Sequence, residues 1–252
     1  TFTFVAQTES SRQVEIVARV AGFLDRIAYA EGEFVKEGQT LFQIDPKPFK
    51  AQLEAAQGEL AAQKARLATA KANLARVKPL AEQNALSQAD LDRATGDFEA
   101  ATASVFSAGA KVREAELNLG YTTIQSPLAG AASRALQREG AYVGASADTA
   151  KLTYVAALDP IWVTFSVSQN QVARLREQVA KKLITVPGNE NFEIELVLPD
   201  GRIFPHRGRI NFSDPSFSKE TGTFMIRASV PNPDKDLRPG MFVTARVLGA
   251  ER

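Results

Sequence analysis

Leu53-Glu-Ala-Ala-Gln-Gly-Glu-Leu60-Ala-Ala-Gln-Lys-Ala-Arg-Leu67-Ala-Thr-Ala-Lys-Ala-Asn-Leu74 carries leucine at every seventh position. Beyond a break at Lys78-Pro79 the spacing returns through Leu91, Phe98, Val105, Val112 and Leu119. With these as heptad position a, position d is Ala56, Gln63, Ala70 and Val77 in the first run and Ala94, Ala101, Ala108 and Ala115 in the second. An a/d stripe held for four heptads marks a coiled coil, whereas a surface helix on a globular core carries a broader apolar face. Alanine at most d positions lets two backbones approach closely. Residues 46–120 therefore read as two long helices turned back on each other, an antiparallel hairpin with arms of ~45 Å.

The ends of the hairpin are legible too. Asp45 can cap the first helix, Pro46 and Pro48 suit its approach, and helix is expected from Phe49. It should stop at Lys78, because a proline disfavours helical geometry in the residue before it. Ser87, with Asp90 three residues on, imitates a capping box for the second helix, which runs to Asn118 before Gly120. Alanines at 61, 62, 65, 68 and 72 line the outer face of the first helix, where small residues are either tolerated or make room for neighbouring hairpins.

Outward from the hairpin the chain is a string of short strands. Residues 2–6 and 12–20 alternate, and turns at Glu31-Gly32 and Gly38 precede Leu41-Phe-Gln-Ile-Asp45. The pattern then repeats 108 positions later. Ala21, Gly22, Arg26, Glu31, Gly32 and Val35 reappear as Ala129, Gly130, Arg134, Glu139, Gly140 and Val143, with Phe34 answered by Tyr142. Two pseudo-symmetric half-motifs packed on each other, split by the hairpin, account for this. Gly32 and Gly140 are then turn glycines. From Leu152 onward further strands follow, including Ile161–Val167, a hairpin of Phe192–Leu198 with Arg202–Pro205, Gly208–Phe212, Phe224–Val230 and Met241–Val247. One amphipathic helix, from Gln169 to about Lys182, turns Val172, Leu175 and Val179 inward. Short strands at this spacing predict a small barrel. The fold class is α+β, elongated and multidomain: a coiled-coil α-hairpin inserted in a split lipoyl-like (barrel-sandwich) β domain, followed by a small β-barrel with one helix. Its expected domains are 10–45 with 121–155, 46–120, and 1–9 with 156–249.

Composition removes several classes of function. The net charge of +1 across 252 residues gives no electrostatic footprint for nucleic acid. No cysteine is present, so thiol catalysis and disulfides are excluded. His206 is the single histidine, and a multi-histidine metal site is unavailable. Asp214 and Glu220 are loop carboxylates without a partner at readable spacing, and Trp162 reads as core. No catalytic, cofactor or metal site is expected. A biotinyl or lipoyl carrier would need a modified lysine at the turn between the half-motifs. Lys47 lies near that turn, between two prolines.

Split half-motifs around a hairpin, with a barrel after them, resemble the periplasmic adaptor or membrane fusion proteins (HlyD/AcrA-type), most closely those of resistance–nodulation–division (RND) efflux pumps. The resemblance rests on Val14–Leu24, Glu31-Gly32, Phe34-Val-Lys36, Leu41–Asp45, Ile124–Gly130, Leu158-Asp-Pro-Ile-Trp-Val163 and Leu237-Arg-Pro-Gly-Met241. It implies a non-enzymatic adaptor in the periplasm, a homo-oligomer (a hexamer at work), bridging an inner-membrane RND transporter and an outer-membrane channel. At the hairpin tip the family carries Arg, Leu four residues on, and Ser seven after that, and Arg76, Leu80 and Ser87 match. The resemblance implies that this trio docks the channel. An N-cap alone would explain Ser87, and Leu80 could simply close the apolar end of the hairpin. The family's membrane-proximal domain is expected to be absent or truncated here, with attachment to the inner membrane through a segment outside this chain. An adaptor of an ATP-driven exporter shares the organisation but usually has a longer hairpin. Asp159-Pro-Ile-Trp162 favours the RND branch.

Overall fold

The heptad stripe becomes a seam between two helices in the computed structural model, which describes residues 2–144, 147–181 and 192–248. Strands β1 (Phe2–Ser10), β2 (Gln13–Val17), β3 (Gly22–Ile27), β4 (Phe34–Val35) and β5 (Thr40–Ile44) lead into helices α1 (Lys47–Glu82) and α2 (Gln88–Gly120). Every a and d position of α1 is half-buried while its neighbours are exposed. The seam of α2 is deeper, with Ala94, Ala108, Val112 and Ala115 buried. At 36 and 33 residues the arms measure ~54 and ~50 Å, longer than the expected ~45 Å.

Three boundaries differ from the sequence reading. Helix α1 begins at Lys47 with Pro46 in the capping position, and Asp45 instead accepts the Lys47 N–H from outside the cap, at 3.0 Å. It also continues through Pro79 to Glu82. Ala81 is the next a position after Leu74 and is half-buried, so one more turn of seam outweighs the single backbone bond that proline removes. Helix α2 includes Gly120, and Tyr121 takes the C-cap.

After the hairpin come β6 (Thr123–Gln125), β7 (Gly130–Ala132), β8 (Tyr142–Val143), the short α3 (Ala147–Ala150) and β9 (Lys151–Ala156). Two four-stranded sheets result, β2-β9-β7-β4 and β6-β5-β3-β8. The 108-residue repeat carries β2, β3 and β4 onto β6, β7 and β8, and β9 takes the place of β5 with its register shifted by three residues. Pairing repeats as well: Gly22 faces Val143 in one half, and Gly130 faces Val35 in the other. Glu139 accepts the Ile27 N–H at 2.8 Å, and its twin Glu31 accepts the Ala135 N–H at 2.9 Å. Gly32 and Gly140 both have φ of 83°, a left-handed turn that glycine adopts freely. The sandwich core includes Leu24, Phe42, Ile44, Val143, Leu152 and Val155.

The same symmetry explains where the other two parts attach. The hairpin leaves between β5 and β6, and the barrel leaves between β9 and β2, which are the matching corners. The barrel comprises β1, β10 (Ile161–Ser168), β11 (Glu193–Val197), β12 (Gly208–Ser213), β13 (Thr223–Val230) and β14 (Phe242–Leu248), closed in the order β1-β10-β13-β12-β11-β14. Its helix, α4 (Gln169–Ala180), packs Val172 against the barrel core, and the side chains of Leu175 and Val179, with the whole of Lys182, lie outside what is described. Arg202–Pro205 forms no strand. A single bridge joins Val197 to Ile203, and Phe204 then turns into the core. Trp162 is not a core residue either. Ile161, Val163, Phe165 and Val167 alternate inward, which leaves Trp162 on the outer wall under the Arg227 guanidinium, 3.8 Å from its ring.

Candidate functional site

The tip of the hairpin is built by the end of α1, a short turn and the cap of α2. Arg76 and Leu80 are spaced four residues apart, one above the other on α1, and both are exposed. Arg76 has no ion pair among the described residues. Leu80 is 43% exposed, and Ala81 rather than Leu80 occupies the seam. The turn is fixed by the backbone. Asn84 takes a left-handed φ of 58°, its N–H donates to Ala81 O at 2.9 Å, and the Ala85 N–H donates to Leu80 O at 2.8 Å. Leu86, absent from the sequence reading, is exposed in this turn. A leucine off the heptad stripe was the available signal. The apex thus offers two leucines and a guanidinium with no ion pair among the described residues, around a hydrogen-bonded turn.

Ser87 caps α2. Its hydroxyl accepts the Asp90 N–H at 3.2 Å, and the Asp90 carboxylate accepts the Ser87 N–H at 3.2 Å and its O–H at 2.5 Å. The Ser87 hydroxyl, then its backbone N–H, holds the Asp90 carboxyl below the usual aspartate range. A carboxyl lowered on folding stabilises the tip above its unfolded value, and that contribution is lost as pH falls through the lowered folded value. Amide-exchange protection at residues 87–91 is expected to fall over that acidic window. Ser87→Ala should cost about 1 kcal/mol of local stability at neutral pH and flatten the acid dependence.

No other cluster of reactive side chains is seen among the described residues. No group of three or more histidine, cysteine or acidic residues is arranged to hold a metal among the described residues. Lys47 is the first residue of α1, placed in a helix rather than on a free turn. His206 stands edge-on to Phe204, 5.7 Å between ring centres. No described helix is long and apolar enough to cross a membrane.

Comparison with known proteins agrees with this layout. Residues 12–155 match the barrel-sandwich hybrid domain of RND membrane fusion proteins, and residues 160–250 match their β-barrel domain. The chain belongs to the RND membrane fusion protein family. Among its curated relatives, the efflux pump periplasmic linker BepD of Brucella suis is 38% identical over 98% of this chain and 62% of BepD. The multidrug efflux pump subunit AcrA of Escherichia coli K12 is 35% identical over 96% of this chain and 60% of AcrA. This membrane fusion protein chain thus spans about three fifths of those relatives. Of solved structures, a MacA–MexA chimera carrying the Pseudomonas aeruginosa MexA α-hairpin superimposes with TM-score 0.72 at 22% identity, covering 99% of this chain and 83% of the other. MacA of Actinobacillus actinomycetemcomitans gives 0.69 at 23%, covering 99% and 79%. These likenesses establish the membrane fusion protein fold.

Proposed function

We propose that this chain works as the periplasmic adaptor subunit of a tripartite RND-type multidrug efflux system. It links an inner-membrane RND transporter to an outer-membrane channel. The observation that carries this reading is the hairpin itself: a ~50 Å projection whose apex is exposed and whose remaining length is spent on a self-satisfied seam. BepD is named a periplasmic linker of an efflux pump, which supports the same compartment and task for its relative here. The adaptor is non-enzymatic and binds no cofactor and no nucleic acid. Its functional units are 10–45 with 121–155, the hairpin 46–120, and 1–9 with 156–249. Arg76, Leu80 and Ser87 make the channel contact: the guanidinium pairs with an acidic or carbonyl group, Leu80 fills an apolar notch, and Ser87 presents the capped turn. The exposed alanines of α1 suit side-by-side packing of copies, with six around the working assembly, held at the inner membrane.

Charge reversal at Arg76 tests the reading. Arg76→Asp should leave helical circular dichroism unchanged, because Arg76 supports no other described residue. It should also abolish drug resistance that depends on the outer-membrane channel. Unchanged drug susceptibility in cells relying on that variant would refute docking through the tip.

A further inference from the structure

The loop between β13 and β14 reaches from the barrel onto the sandwich. Lys235 in that loop holds its Nζ 3.6 Å from the centre of the Phe34 ring on β4. It does so from a left-handed backbone, φ 60°, which a non-glycine residue takes only where its surroundings impose it. The surroundings here are explicit. The Lys235 N–H donates to Asn232 O at 3.1 Å. Asn232 is fully buried and tied to three other points, Leu158, Asp159 and Leu237. The lysine is therefore presented by a fixed loop. Among the described residues it has no carboxylate partner within ion-pair distance.

The internal symmetry shows why Phe34 is open to it. Tyr142, the twin of Phe34, is met edge-on by Phe23, 5.3 Å between ring centres. The twin of Phe23 is Ala131, paired with Phe34 in the sheet. Where one half of the sandwich has a second aromatic ring, the other has a methyl group and leaves a ring face uncovered. A cation is held over that face by the ring's quadrupole, weakly enough at an exposed site to let go and return.

We propose that Lys235 and Phe34 form a releasable clasp that sets the angle between barrel and sandwich. The covalent joints alone, residues 11–12 and 157–160, are two adjacent crossings that a rotation could twist about. The clasp adds a third tie beside them, across the crevice that Phe34, Leu158 and Lys235 line together, and narrows the range of angles. It stands independently of the efflux reading, since it concerns only how two parts of this chain are held.

The absence of cysteine makes the test clean. Cysteines introduced at the exposed Arg138 of the sandwich and Lys219 of the barrel, spin-labelled, give the inter-domain distance distribution by electron–electron resonance. Lys235→Gly keeps the left-handed backbone without strain and removes the cation. It should raise the population of separated arrangements about fivefold. Phe34→Leu, which keeps apolar bulk and removes the quadrupole, should do the same, and Lys235→Arg should resemble the parent. A parent-like distribution for Lys235→Gly or for Phe34→Leu overturns the clasp, as does Lys235→Arg broadening as much as Lys235→Gly. Barrel melting followed by Trp162 fluorescence should be unchanged in Lys235→Gly, and a fall that accounts for the broadening would equally overturn it.

Discussion

Asn232→Leu is expected to destabilise the barrel by about 4 kcal/mol. The Asn232 side chain donates to Leu158 O at 2.9 Å and to Leu237 O at 2.8 Å, and accepts the Leu237 N–H at 3.1 Å. All three residues are buried. Leucine fills similar space but leaves two carbonyls and one amide without partners, and each such orphan costs ~1–3 kcal/mol. Asn232→Asp should be at least as damaging, since it turns a carboxylate toward two carbonyl oxygens. Urea unfolding followed by Trp162, the chain's single tryptophan and part of β10, reads the barrel separately from the helical hairpin. A loss below about 1 kcal/mol for both variants would mean that the two loops hold each other without this residue.

Gly130→Ala should be comparably severe, about 3 kcal/mol. A Cβ there would sit 2.7 Å from the Ala156 carbonyl carbon, closer still to its oxygen, and 2.9 Å from Leu128 Cδ1. Backbone on the neighbouring strand cannot move aside without disturbing the β7–β9 pairing. Its twin Gly22 meets a side-chain atom, Ile44 Cγ2, at 2.7 Å, so Gly22→Ala should cost less. Gly32→Ala has nothing within 4 Å of the new Cβ and should cost only the strain of its positive φ, about 1 kcal/mol. Calorimetry on the three variants should therefore rank Gly130, Gly22, Gly32. Equal losses at Gly130 and Gly32 would assign both to backbone conformation rather than to close packing.

How far the sequence could be read followed the range of the interactions involved. The hairpin was legible because its seam repeats every seven residues, and Ser87 with Asp90 was legible because a capping box is local. Pro79 misled for the same reason: a local rule was overridden by Ala81 one turn further along the seam. The sandwich was legible through its duplication, which reports the turn glycines twice. Asn232 was not. Its partner Leu158 lies 74 residues away, and an Asn-Pro pair between strands reads as an ordinary turn. Trp162 followed a similar course, since alternation alone cannot say which face of a strand is inward. At the tip, Arg76, Leu80 and Ser87 are all exposed, and nothing local to them distinguishes a docking surface from a solvated one.

The shared root of the hairpin and sandwich has one further consequence. Phe49, in the first turn of α1, lies at the edge of the sandwich core, beside the crowded contact of Gly22 with Ile44. Treated as a rigid arm, the hairpin would pivot about the two chain crossings at Asp45 and Tyr121. A tilt of about 10° at that pivot would carry an arm of ~54 Å sideways by roughly 9 Å at its far end. An angular displacement at the pivot is thus magnified at the apex, and a side chain added at Gly22 would press on Ile44 and touch Phe49 beside that pivot.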